Sequence, residues 1–226
     1  MYRKGGNKRT YRRRNYRRRN GNSSRPWYLK KYNALDLAGK AYSGVKYLKG
    51  LVNSEMYDII NTATNSPILN TGSMVPLHQI AQGDGSDART GNSILARSLF
   101  FRLVFKCNSS ATVTTVRFMI VRDTQQVADT TPTAATILNS ADPLSPLCLT
   151  VEGRFSVLKD KLITLNNVDS KSVPMKKFMN LYTHIRFNGA AGTDIQKNGL
   201  YALFISDEAT NTPTISYNFK LSYHDN

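Results

Sequence analysis

The sequence predicts an all-β domain, an eight-stranded jelly-roll sandwich, behind a disordered basic N-terminal arm and one short N-terminal helix. Three observations predict it. From residue 53 onward apolar and polar residues alternate in one segment after another, the mark of strands with one buried face. Between 34 and 52 the apolar residues recur at three- and four-residue steps instead. Before residue 34 there is no apolar periodicity, only a dense block of cations.

Residues 1–33 form the arm. The chain of 226 residues carries a formal charge of +16 and a pI near 10.0. Residues 1–31 hold nine arginines and four lysines, and the first acidic residue is Asp36. Removing those 13 from 31 basic residues leaves 18 against 15 acidic ones, or +3 for the remainder. The charge therefore belongs to the arm, and like charges in a block repel and stay disordered until a counter-charge arrives. A five-residue unit is duplicated in it, Tyr11-Arg12-Arg13-Arg14-Asn15 followed by Tyr16-Arg17-Arg18-Arg19-Asn20, as in low-complexity binding tails. Pro26 and Trp27 mark the approach to the folded part.

Residues 34–52 read as an amphipathic helix with Ala34, Ala38, Ala41, Val45, Leu48 and Val52 on one stripe. Lys40, Lys46 and Lys49 lie largely opposite, and Gly39 and Gly44 weaken it by up to ~1 kcal/mol each. Packing against the inner face of the body is favoured over lying on a membrane.

The strands follow in order. Residues 55–62 and, more weakly, 74–80 open the body. Residues 94–107 place Leu95, Leu99, Phe101, Leu103, Phe105 and Cys107 on one face, and Val116, Phe118 and Ile120 alternate after them. Residues 155–165 form another strand. From 177 to 187, Met179, Leu181, Ile185 and Phe187 oppose Asn180, His184 and Arg186. Leu200 to Ile205 is apolar throughout, as in a strand covered on both sides. Ile215, Tyr217, Phe219, Leu221 and Tyr223 close the series. Loops fill 81–93, 123–153 and 188–199, with a helical turn at 134–140. Eight strands with a few long crossing loops fit a jelly roll; an up-and-down barrel would have shorter and more regular turns. Long loops in a compact domain usually have a job.

The arm's chemistry points to a polyanion. Guanidinium groups are permanently charged and donate paired hydrogen bonds to phosphate. The candidate nucleic-acid-binding residues are Arg3, Lys4, Lys8, Arg9, Arg12, Arg13, Arg14, Arg17, Arg18, Arg19, Arg25, Lys30 and Lys31, with Tyr11 and Tyr16 placed to stack on unpaired bases. Stacking accepts any base, so the expected partner is a single strand held without sequence readout. The same blocks resemble a nuclear-import signal, which would bring a host import receptor as a further partner.

An enzyme is not expected. His78, His184 and His224 fall in different segments, and no His or Cys partner stands at metal-ligand spacing. The sequence has no Gly-x-Ser-x-Gly elbow, phosphate loop or His-Glu-x-x-His helix. Asp84-Gly85-Ser86-Asp87 offers oxygen ligands but lacks a closing glutamate, so a plain turn is the better reading. Cys107 and Cys148 have no metal or redox spacing and read as inert thiols, although one disulfide is open to them. No cofactor or metal is implied. No apolar run reaches the ~18 residues that span a bilayer, and no apolar secretory segment follows the basic start.

Several ordered blocks resemble the capsid proteins of small eukaryotic viruses with circular single-stranded DNA genomes and a rolling-circle replication protein. They are Ile80-Ala81-Gln82-Gly83 with Arg89-Thr90-Gly91-Asn92; Val116 to Gln125, running into Pro132-Thr133; Arg154 to Lys161; and Asn198-Gly199-Leu200-Tyr201, ending at Ser206-Asp207. Ala41, Leu48 and Asn53-Ser54-Glu55 ahead of the first strand also fit. Together they span most of residues 36–225. The resemblance implies a single jelly roll, a homo-oligomeric shell on the order of sixty copies, and an arm pointing inward onto single-stranded nucleic acid, DNA rather than RNA. It also implies a place in the virion and, during assembly, in the host nucleus. Small satellite and plant RNA viruses build similar shells. The main rival is a nucleic-acid-binding or nuclear shuttle protein that forms no shell. The nearly neutral body, with no aromatic RNA-binding consensus, counts against it. A carbohydrate-binding jelly roll leaves the arm unexplained.

Overall fold

The computed structural model describes residues 34–51, 56–148 and 153–225. They fall into two units, a helix and a strand body. The helix, α1, is Ala34–Leu51. Its described side chains, residues 37–45, are exposed, and Ser43 Oγ donates back to the Gly39 and Lys40 carbonyls at 3.0 Å. Val52, placed on the helix stripe by its spacing, lies outside the described residues.

The body has nine strands: β1 Met56–Pro67, β2 Ser73–Pro76, β3 Ser93–Lys106, β4 Val113–Asp123, β5 Phe155–Asn166, β6 Ser172–Phe187, β7 Ile195–Lys197, β8 Gly199–Ser206 and β9 Thr214–Asp225. A single helical turn, α2, is Ala134–Ile137. The strands form two sheets, ordered β1-β9-β3-β6-β7 and β2-β8-β4-β5. Without the three-residue β7, the eight remaining strands pair first-eighth-third-sixth and second-seventh-fourth-fifth. Among these eight, every connection crosses between the sheets except β4 to β5. That is the jelly roll.

The two inner faces meet in an aromatic core. Phe101 lies 5.5 Å from Phe118, Phe118 stacks on Phe204 at 5.2 Å, and Phe204 reaches Tyr217 and Phe219 at 6.0 and 6.4 Å. Alternation supplies these residues: Val116, Phe118 and Ile120 from β4, Leu200, Ala202 and Phe204 from β8, and Ile215, Phe219 and Leu221 from β9.

One register differs from the alternation. Leu95 does not share a face with Leu99. Pairing with both neighbours shifts between Ala96 and Ser98: Arg97 is an extra residue against β9, whereas against β6 it lies opposite two residues, Leu181 and Tyr182. A bulge reverses the parity of everything before it. Ile94 and Ala96 are the core residues there, and Leu95 is only half-buried. Opposite the bulge Tyr182 takes a φ of 49° and lies under the Arg97 guanidinium, 4.6 Å from the ring centre.

Burial of the whole of β8 has a structural cause. Leu200, Ala202 and Phe204 face the core, while Tyr201, Leu203 and Ile205 join a second apolar cluster on the outer side. That cluster is completed by Met119 and Val121 of β4 and by Ala134, Ile137 and Leu138 from the long β4–β5 connection. The loop is thus a cover for the outside of its own sheet. Gly72 lets the cover close: its φ is 83°, and a β-carbon there would lie 2.5 Å from Ala134 Cβ.

Candidate nucleic-acid interface and its supports

The fifteen arm residues named from sequence, Arg3 through Lys31 with Tyr11 and Tyr16, lie outside the described residues. The described surface adds a second collection of cations and aromatics that the charge total concealed. It occupies the outer face of the β1-β9-β3-β6-β7 sheet. Among the described residues of the strand body, no element covers this face.

Register assembles it row by row. Phe100 of β3 stands directly opposite Phe178 of β6 and Lys220 of β9. Lys220 in turn faces Ile60 of β1. In the next row Arg102 is opposite Lys176 and Asn218, and Asn218 is opposite Thr62. On the other side Ser98 faces Asn180 and Ser222, and Ser222 faces Asp58. Phe178 is 59% exposed. The Arg102 guanidinium and the Lys176 ammonium approach the Phe100 ring at 5.5 and 5.9 Å. Lys106 extends the cations toward one end, and the cross-strand pair Arg186 and Lys197 toward the other. Arg186 and Lys197 also border a shallow open cleft of about 500 Å³ with Thr124, Gln125 and Gln196.

On these rows the one carboxylate is Asp58. It is held by Lys220 at 2.7 Å and by the Ser222 hydroxyl at 2.5 Å. Burial raises its pKa, but these two hydrogen bonds and the Lys220 charge outweigh it and leave the group below the ordinary range. Among the described residues Arg102 and Lys176 take part in no ion pair. Opposed like charges in a sheet are destabilising, so this row sits at a cost to the fold.

The blocks quoted from sequence become supports for the scaffold. Arg89 is 0% exposed. It donates to the Ile80 carbonyl at 3.0 Å, the Gly91 carbonyl at 2.6 Å and the Gly189 carbonyl, and its guanidinium lies 4.0 Å from the Phe187 ring centre. One buried cation thereby ties the β2–β3 connection to the end of β6. Burial pulls its pKa down, while Asp194 and Asp225 pull it up.

Two further arginines anchor the cover over the other sheet. Arg154 grips Asp123, itself 0% exposed, with hydrogen bonds of 2.9 and 2.6 Å. That pairing lifts the arginine's pKa against the effect of burial. Arg117 holds Asp160 at 3.0 and 2.6 Å and also donates to the Pro143 and Ser145 carbonyls in the loop.

His78 is fully buried. Its Nδ1 accepts the Leu200 amide proton at 2.9 Å, and its ring meets Tyr201 edge-on at 4.9 Å. Burial depresses its pKa to about 4, against the opposing pull of the Leu200 carbonyl and Asp123. His184 is exposed, as its place in the alternation indicated. Asp84–Asp87 is a turn closed by the Ala88 amide donating to the Gly85 carbonyl at 3.0 Å. Cys107 and Cys148 are half-buried. No helix among the described residues is long and apolar enough to cross a membrane.

Sequence reading missed the Phe100–Phe178 surface because it summed the body's charge without assigning faces. The signal was present as a two-residue period, Phe100 and Arg102 on one strand and Lys176 and Phe178 on another. Which rows these join depends on a pairing 74 to 78 residues away in the chain.

A family model described as satellite tobacco necrosis virus coat protein matches residues 45–226. A search of curated proteins finds no match. Among solved structures, a chain of Desmodium yellow mottle tymovirus aligns at 13% identity over 75% of this chain and 85% of its own, with a TM-score of 0.36. The BFDV capsid protein in a 60-mer aligns at 12% identity over 76% and 94%, with a TM-score of 0.33. PNGF-II aligns at 13% identity over 78% of this chain but 36% of its own, with a TM-score of 0.38.

Proposed function

The chain belongs to the satellite tobacco necrosis virus coat protein family, and from that premise we propose that it self-assembles into a small icosahedral shell and packages a single-stranded genome through its basic arm. A coat protein is a structural component of the virion, and its partners in the shell are copies of itself. Residues 1–33 act as the nucleic-acid-binding arm and residues 34–226 as the shell domain, with α1 belonging to the latter. Sixty copies suffice for the simplest closed shell. The genome is DNA on the strength of the ordered sequence blocks, which also favour assembly in the host nucleus with the arginine blocks serving as the import signal.

The observation that carries this reading is the division of charge. Thirteen cations precede residue 32 on a chain whose remainder nets only +3. An arm of that density neutralises phosphates and removes its own self-repulsion in doing so, which couples packaging to assembly. No metal, cofactor or catalytic group is required.

Electron microscopy of the full-length, nuclease-treated protein expressed alone tests the shell. Uniform closed particles with protected nucleic acid are expected, and monomers or dimers at every salt concentration would favour a shuttle protein instead. Removing residues 1–31 should empty the particles. Normal packaging without the arm would overturn its role.

A further inference from the structure

We infer that the bare face of the β1-β9-β3-β6-β7 sheet, centred on Phe100 and Phe178 with Arg102, Lys176 and Lys220, is a second platform for single-stranded nucleic acid, separate from the arm. The inference rests on the reading that this chain packages a genome, and it adds where on the folded body the strand lies.

Three features select this occupant. The first is charge: Arg102 and Lys176 oppose each other directly with no ion pair among the described residues, and the nearby carboxylate Asp58 is already engaged by Lys220. An anion placed over that row converts a repulsive pair into a chelating one, as phosphate does between two cationic side chains.

The second is shape. Phe178, largely exposed, stands directly across from Phe100 in the middle of the cations, so an aromatic ring is open to a flat base. Bases stack on aromatic rings without regard to sequence. A purely apolar partner would bury these rings but leave the cations unpaired and desolvated, at high cost. A polyanion that carries flat apolar groups satisfies both. The third is extent: Lys106 at one end and Arg186 with Lys197 at the other continue the cations beyond what one phosphate needs.

Phosphate and unpaired base are common to DNA and RNA, so the test uses both. The full-length protein is titrated with twenty-nucleotide deoxy and ribo strands of one sequence across a salt series. Its partner is the double variant Arg102→Gln, Lys176→Gln. Loss of two phosphate contacts should lower the slope of log affinity against log salt by about 1.4. Phe178→Ala should weaken binding about 5- to 100-fold at fixed salt, the range for one lost stacking contact.

In parallel, ultraviolet cross-linking of the unaltered protein should place strand on peptides containing Phe100 or Phe178. That readout does not depend on any variant folding. A response in either series supports the platform, and the series that responds names the strand it holds. Unchanged slopes and affinities, with cross-links confined to residues 1–33, would overturn the platform and leave the arm reading intact. Failure of the unaltered protein to bind either strand would overturn the packaging reading itself.

Discussion

The two sheets of this sandwich share one core, yet their outer faces are finished in opposite ways. The β2-β8-β4-β5 sheet is roofed by its own chain: Ala134, Ile137 and Leu138 seat on Tyr201, Leu203 and Ile205, Arg117 holds the Pro143 and Ser145 carbonyls of the roof, and Arg154 with Asp123 closes its base. The β1-β9-β3-β6-β7 sheet has no such roof. It presents Phe178, Ile60 and a set of cations to solvent. On the roofed side Arg154 is paired with Asp123 and Arg117 with Asp160, and all but Asp160 are largely shielded from solvent. On the bare side Arg102 and Lys176 stand opposed with no ion pair among the described residues, and both approach the Phe100 ring. The contrast teaches that one face is finished by its own loop while the other keeps Phe178 and its cations within reach of solvent.

The roofed side should answer sharply to substitution. Asp123→Ala leaves the Arg154 guanidinium without its carboxylate, and breaking such a buried pair costs about 3–5 kcal/mol. Chemical denaturation of the variant should show that loss; a change below 1 kcal/mol would mean the pair does not pin the loop. Ile137→Ala removes an apolar contact from the second cluster, and its expected cost is about 2–5 kcal/mol. Hydrogen exchange should reveal whether the loop opens while the sheets persist.

Acid should also act on this side. His78 has a pKa near 4 in the fold against 6.5 for the free side chain, so the fold favours its neutral form. Its stabilising effect is complete above pH 6.5 and is lost as pH falls from there to 4. The full loss amounts to about 3 kcal/mol by linkage. Urea midpoints at pH 7.5 and 4.5 measure it, and His78→Gln should flatten the difference.

The bare face should respond weakly and in the other direction. Lys176→Glu places a carboxylate opposite Arg102 and should raise stability by about 0.2–1 kcal/mol, while weakening nucleic-acid binding. Phe178→Ser, at an exposed position, should stay within about 0.5 kcal/mol of the parent. A large destabilisation from either would show that this face is part of the folding core after all.

Much of the fold was legible because period-two alternation depends only on near neighbours in sequence. Ile215 to Tyr223 read correctly as a half-buried strand, and the all-apolar Leu200–Ile205 as one covered on both sides. Leu95 was assigned to the wrong face because a bulge at Arg97 is a property of three strands together. The start of β6 at Ser172 escaped because Lys176 and Lys177 interrupt the alternation at the sheet's open end. β7 was lost inside a loop because three residues carry no period. Arg89 belonged to a quoted block, but arginine is so seldom fully buried that its type argues against the place it occupies. The arm lies outside the described residues, so its reading rests on charge density alone.

The pairing of β1 with β9 sets a timetable for the nascent polypeptide. Tyr57 pairs with Tyr223, and among the described residues β9 is the only strand β1 joins. At about 5–20 residues per second, a ribosome takes roughly ten to thirty seconds to deliver the second after the first. Throughout that interval residues 56–67 emerge with both edges unsatisfied, the state most prone to misassembly. Asp58, Asn61, Thr62, Thr64 and Asn65 keep the waiting strand polar. A strand that must wait longest thereby carries Asp, Asn and Thr side chains along much of its length.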